Sequence, residues 1–153
     1  MKKITAGVVI FLFALVFFSV NVMAEGSVAG IWNTIADHGP DRGKTEFYIE
    51  IFEKSGLYYG KIVKLLLKPK DALCNQCPEN LKDKPLLGMI ILKDMKKTGK
   101  ADGDFGAEYA GGTIMDPENG KSYKCKLWVK GDVITERTYG RLFYRTRNWH
   151  RVK

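Results

Sequence analysis

The residues of this chain that could do chemistry are a close pair of cysteines, two histidines and a run of arginines set among aromatics. Cys74 and Cys77 stand as C-N-Q-C in a polar stretch. That spacing admits a small disulfide stapling a loop, a thioredoxin-like redox pair, or half of a metal site. The redox motif normally opens a helix in a βαβ setting, and no such setting is visible in this sequence. A metal site needs a third and a fourth ligand, and the chain offers only His38 and His150 as histidines. The loop staple is therefore the preferred reading, with no metal and no cofactor. Cys125 alternates with Tyr123, Leu127 and Val129, the pattern of a buried, unpaired core thiol.

Hydrolysis needs a nucleophile activated by a base. His38 falls in a loop after the first apolar run and His150 near the C-terminus, and neither has a Ser or Cys at a recognisable spacing. The reading is non-catalytic, with a hydrolase of unknown substrate as an alternative. Asp102 and Asp104 lack the ligand spacing of an EF-hand loop, and Asp37, His38 and Asp41 read as an ordinary polar loop. The segment from Arg137 to Arg151 is the most unusual in the chain. On a strand, Phe143, Arg145, Arg147, Trp149 and Arg151 share one face. Facing outward, those arginines suit anionic envelope surface or a partner protein. Facing inward, some of them anchor a carboxylate or phosphate head group by paired hydrogen bonds. Arginine beside aromatics also suits nucleic acid, but an exported protein does not ordinarily meet it, and none is expected.

Export is read from the N-terminus. Lys2 and Lys3 precede an almost unbroken apolar run at 4–20, and Val22-Met23-Ala24 ends on a small residue before Glu25. That is the build of a secretory signal peptide, placing the protein in the periplasm or outside the cell, where thiols oxidise. The run lies at the short edge of what spans a bilayer, so a retained anchor is the alternative. The chain has 153 residues and a formal net charge of +8, two of those charges being Lys2 and Lys3. The remainder after the signal, residues 25–153, fits one domain and excludes a large enzyme, a repeat array or a multi-span membrane protein.

Short alternating runs cut by turn signals organise that remainder. Eight candidate strands are read at 29–35, 44–53, 57–67, 86–95, 106–115, 121–130, 133–140 and 142–152. Phe47, Ile49 and Ile51 fall on one face of the second, with Glu46 and Glu50 on the other. Period two with one wet face is the antiparallel signature. Glu53-Lys54-Ser55-Gly56, Asp116-Pro117-Glu118-Asn119-Gly120 and Lys130-Gly131-Asp132 are tight turns, whereas 98–104 and 68–85 are longer loops. Eight meandering strands have exposed edges unless they close, which predicts an antiparallel up-and-down β-barrel, with a two-sheet sandwich as the alternative.

Gly30-Ile31-Trp32 resembles the Gly-x-Trp start of lipocalins and related calycin barrels. The resemblance implies that Trp32 packs across the closed end of the barrel against a basic residue of the last strand. Of Arg145, Arg147 and Arg151, Arg147 or Arg151 is expected there, stacked for about 0.5–2 kcal/mol. A second resemblance covers nearly the whole exported chain. Gly60-Lys61-Ile62-Val63-Lys64-Leu65, the Cys74/Cys77 pair, Lys84-Pro85-Leu86-Leu87-Gly88, the stretch from Gly112 to Tyr123 and the ending Arg145-Thr146-Arg147-Asn148-Trp149-His150-Arg151-Val152 resemble a family of small exported bacterial proteins known only as a domain of unknown function. It implies an exported lipocalin-like barrel and assigns no catalytic residues. Phe105-Gly106 matches the family's aromatic-glycine position only loosely.

The expected protein is thus a monomeric lipocalin-like barrel that binds a small amphipathic or apolar ligand without catalysis. Phe47, Ile49, Ile51, Tyr59, Tyr123, Leu127 and Tyr139 are its candidate lining, and Trp32 with Arg147 or Arg151 its closure. The alternative partner is an anionic envelope surface or an envelope protein, met through the basic-aromatic outer face.

Overall fold

Alternation of apolar and polar residues across tight turns produces strands, and strands without a covering helix must pair with one another. A computed structural model describes residues 26–153; the signal-like segment 1–24 lies outside the described residues. The strands are β1 (Gly30–Ile35), β2 (Thr45–Lys54), β3 (Leu57–Leu65), β4 (Ile90–Asp102), β5 (Gly106–Ala110), β6 (Thr113–Met115), β7 (Ser122–Lys130), β8 (Val133–Tyr139) and β9 (Tyr144–Arg151). Each pairs antiparallel with the next in space. The pairing of β1 with β9, through Trp32↔Arg151 and Asn33↔His150, joins the first strand to the last. With β3 on β4, the circuit is complete and no long edge is left open.

Among the described residues nine segments make eight staves. β5 and β6 both lie between β4 and β7, and Gly111-Gly112 interrupts what the sequence presents as a single run at 106–115. A second difference concerns β4. It starts at Ile90 rather than Leu86 and continues through Lys96–Lys100 to Asp102, across residues that read as a polar loop. Residues 96–102 are exposed, so no apolar alternation marks them. Their backbone nonetheless pairs with β5 through Lys96↔Ala110 and Asp102↔Gly106, with a bulge between Lys97 and Ala101.

A meander puts its connections alternately at the two ends. The short turns at 55–56, 103–105 and 131–132 share one end with the incoming segment 26–29, and loops 36–44, 66–89, 116–121 and 140–143 share the other. The first end is filled solid. Trp32, Ile49, Ile62, Leu92, Met95, Leu127 and Ile134 are all fully buried there. The indole of Trp32 donates to the Val28 carbonyl at 2.8 Å, and the Arg151 guanidinium lies 4.1 Å from its ring centroid. Arg151 also donates to the carbonyls of Ala29 and Ser27, at 3.1 and 2.7 Å, and pairs with Asp132 at 3.1 Å. Gly30 is required by this plug. Its φ is +136°, and a Cβ would stand 2.5 Å from the Arg151 Nη1. Arg147, the other residue considered for closure, is not on Trp32; it points into the opposite half of the barrel and borders the space there.

Candidate functional site

The end opposite the plug holds a cavity of about 790 Å³ that opens between the long loops. β9 supplies one wall. Tyr144, Thr146, Asn148 and His150 are exposed, so alternation turns Arg145, Arg147 and Trp149 inward, where all three line the cavity. The basic-aromatic face therefore points into the barrel at Arg147 and Trp149, while Arg145 stands half exposed at the rim and Phe143 beyond it is exposed. Thr34, Phe47, Ile91, Ile114, Met115 and Tyr123 line other walls, from β1, β2, β4, β6 and β7.

A bulge brings in one further group. The pairing runs Asn33↔Tyr48 and then Ile35↔Thr45, a slip of one residue, and the adjacent Glu46 and Phe47 both line the cavity. Strict alternation puts Glu46 outside with Glu50; the slip overrules it. Burial pushes the Glu46 carboxyl above the ordinary range, and the nearby Glu118 adds to the rise while Arg147 works against it. Its side chain makes no hydrogen bond or ion pair among the described residues.

Deeper in, Glu136 is fully buried and accepts from Arg147 Nε at 2.8 Å. Burial pushes Glu136 upward and Arg147 opposes it; the balance leaves the carboxyl above its usual value. The second oxygen of Glu136 and the indole N–H of Trp149 are buried with no hydrogen-bond partner among the described residues. At the rim, Asp37 binds Arg145 Nη1 at 3.1 Å and His38 Nδ1 at 2.6 Å, and His38 Nε2 reaches Glu118 at 2.9 Å. Burial disfavours the Asp37 charge, but the His38 hydrogen bond and the two arginines more than offset it and hold the carboxyl low. The Asp37 hydrogen bond holds His38 above its ordinary value. His38 thereby joins loop 36–44 to the turn at 116–121 across the opening.

The sequence-derived lining divides three ways. Phe47 and Tyr123 line the cavity. Ile49, Ile51 and Leu127 face inward but sit in the solid half, at most 1 % exposed. Tyr59 and Tyr139 are on the outer face and leave the set. Tyr59 donates to Asp94 at 2.9 Å, and its neighbour Tyr58 takes the inward position, edge-on to Tyr109 at 5.1 Å. Two adjacent tyrosines leave the phase of the strand ambiguous by one residue, and one residue reverses the face. Tyr139 packs on Tyr144 outside, while Glu136 and Thr138, polar and so expected outward, face in. The usable signal is their phase with Ile134.

Cys74 and Cys77 are joined in a disulfide. Their loop rests on the 116–120 turn, with the Cys74 sulfur 3.6 Å from the Pro117 carbonyl and the Cys77 sulfur 3.7 Å from Met115 Sδ. Gly120, at φ +69°, permits this approach, since a Cβ would fall 1.8 Å from the Gln76 carbonyl oxygen. Cys125 is free and buried; burial pushes its thiol up to about 12, so it is no thiolate nucleophile. His38 has carboxylates as both partners, a bridging arrangement and not that of a base poised on a hydroxyl. His150 is exposed on the outer face.

The fold has a solved counterpart in the protein HP1028 from the human pathogen Helicobacter pylori, described as belonging to the lipocalin family. The two superpose with a TM-score of 0.68 at 20 % identity, over 83 % of this chain and 84 % of that one. No curated protein matches the sequence. With its closed antiparallel barrel, its Gly30–Trp32–Arg151 plug and a match to the family model across residues 30–151, the chain belongs to the family of uncharacterized proteins conserved in bacteria designated DUF2147.

Proposed function

We propose that this protein is exported and holds a small amphipathic molecule, without catalysis, in the cavity at the open end of its lipocalin-like barrel. The observation that carries the reading is the cavity itself. At about 790 Å³ it falls within the range of natural small-molecule sites, and it stands over a lower half filled by side chains. Had the barrel been solid throughout, an inner ligand would have had no room. Its walls mix apolar residues such as Phe47, Ile91, Ile114 and Met115 with the charged groups of β2 and β9, which favours a ligand with both an apolar body and a polar head over a purely apolar one. The segment 1–24 and the Cys74–Cys77 disulfide support export, because such a bond persists in oxidising compartments.

A second reading, contact with anionic envelope surface or an envelope protein, is favoured by one feature. The hairpin at the mouth presents Leu142, Phe143 and Tyr144 at 93, 72 and 59 % exposure, with Arg141 beside them. Native mass spectrometry of protein purified from its own periplasm tests the principal reading. A co-purifying small molecule lost on denaturation is the expected result. A clean apo mass, with no thermal shift across a panel of lipids and detergents, would sink it.

A further inference from the structure

The charges inside the cavity are not equally available. Arg145 is engaged by Asp37, and Arg147 gives its Nε to Glu136. Both inward arginines are thus already neutralised by a carboxylate, so a ligand that brought only negative charge would compete with acids already in place. Glu46 is the converse. It borders the same cavity with no cation in contact, and Lys68, the other base near it, is exposed. Yet the site is not simply acidic. The Arg147–Glu136 bond engages Nε, and the terminal amino groups of Arg147 make no hydrogen bond or ion pair among the described residues. Trp149, fully buried and part of the wall, has an indole N–H with no acceptor. An unengaged acceptor therefore borders the same space as the unengaged amino groups of Arg147, and the unmet N–H of Trp149 is enclosed in that wall.

Resting on the amphiphile-binding reading, we propose that the cavity selects a zwitterionic head group, its cation on Glu46 and its anion on the free edge of Arg147 with the Trp149 N–H. Such a head supplies what each of these groups lacks and changes the net charge of the cavity by nothing. A carboxylate alone would compete with Glu136 for Arg147 and leave the Glu46 charge unanswered, while an ammonium alone would leave the Arg147 amino groups and the Trp149 N–H without an acceptor, and a buried donor left unmet costs more than an absent contact. Arg141 and Lys68 at the rim attract any anion, but both lie in solvent, where screening weakens them.

The test uses four probes with the same twelve-carbon tail and different heads: dodecylphosphocholine, dodecanoate, dodecyltrimethylammonium and dodecyl maltoside. Each is titrated below its micelle-forming concentration and followed by calorimetry and tryptophan fluorescence. The zwitterion is expected to bind about tenfold more tightly than either singly charged probe, a charge-assisted hydrogen bond from Arg147 to the anion and an ion pair of the quaternary ammonium with Glu46 each being worth about that factor. Glu46→Gln, close to isosteric, removes the charge that faces the quaternary ammonium and is expected to weaken the phosphocholine and ammonium probes about tenfold and to leave the maltoside unchanged. Dodecanoate binding as tightly as the phosphocholine probe, or an unchanged ranking in Glu46→Gln, overturns the head-group assignment while amphiphile binding stands. No binding by any of the four overturns both. The ranking on the unaltered protein decides the matter even should the variant fold poorly.

Discussion

The two ends of this barrel are built from the same strands and do opposite things. At the closed end Trp32, Ile49, Ile62, Leu127 and Ile134 leave no space, and the one charge admitted, Arg151, spreads over an indole and two backbone carbonyls. At the open end the same inward positions of β2, β8 and β9 carry Glu46, Thr138, Arg145 and Arg147 around a void, with Glu136 buried against Arg147. Charge is tolerated inside the barrel where each group has a counter-charge or a wet opening, and excluded where neither exists. The contrast assigns stability to one end and leaves at the other the space in which a ligand is proposed.

The contrast breaks most visibly at the plug. Trp32→Ala is expected to cost about 3–5 kcal/mol by urea denaturation, as large-to-small changes at filled sites do. Because Gly30 and Arg151 are fitted to the indole, the gap cannot collapse easily. A loss below about 1 kcal/mol would mean that the closed end does not hold the barrel together. Next in size is Arg147→Met. It leaves Glu136 buried without its partner, at about 3 kcal/mol, and Glu136→Leu in the same chain should restore most of it. The pH dependence has a defined sign. A carboxyl raised on folding binds its proton more tightly in the folded than in the unfolded chain, so the contribution of Glu136 to stability is greatest at low pH and falls as pH rises past the ordinary carboxylate value, opposite in sign to that of Asp37. Removing Arg147 takes away the opposing charge and should carry that fall on to higher pH; an unchanged pH profile would mean that Glu136 does not feel Arg147.

The closed end is the more legible of the two from sequence. Gly30-Ile31-Trp32 and the alternation of β2 and β7 name most of its contents, because apolar residues facing an apolar core make the period plain. Reading the open end by the same rule fails where the interior is polar. The rule turns Tyr139 inward and Thr138 and Glu136 outward, since hydrophobicity stands in for direction only while the inside is dry. Glu46 is hidden by a bulge, which shifts phase without leaving a residue signature. Arg145, Arg147 and Trp149 are visible as a stripe, though which way it faces depends on closure. The cavity, a property of loop packing and strand tilt, has no expression in local pattern at all.

The smallest effect is at the rim, where the two ends differ in kind. Among the described residues no loop of comparable length covers the plug, whereas loop 36–44 is held over the cavity by His38 between Asp37 and Glu118. The groups facing His38 are these two carboxylates, with Arg145 on the far side of Asp37. A histidine raised on folding adds stability below its ordinary value of about 6.5, and that contribution disappears as pH rises through the folded value. The side chain is 60 % exposed, so solvent limits the contribution to less than about 1 kcal/mol. The measurement is therefore the titration of the His38 ring by NMR, not a melting curve. It should lie above the ordinary range, drop furthest in Asp37→Asn, whose hydrogen bond is the larger influence, and drop less in Glu118→Gln. Amide exchange in 36–44 should quicken as the ring loses its proton. Should Glu118→Gln leave both titration and exchange unmoved, the bridge across the mouth carries no weight, and the opening is set by the disulfide loop and the 116–120 turn alone.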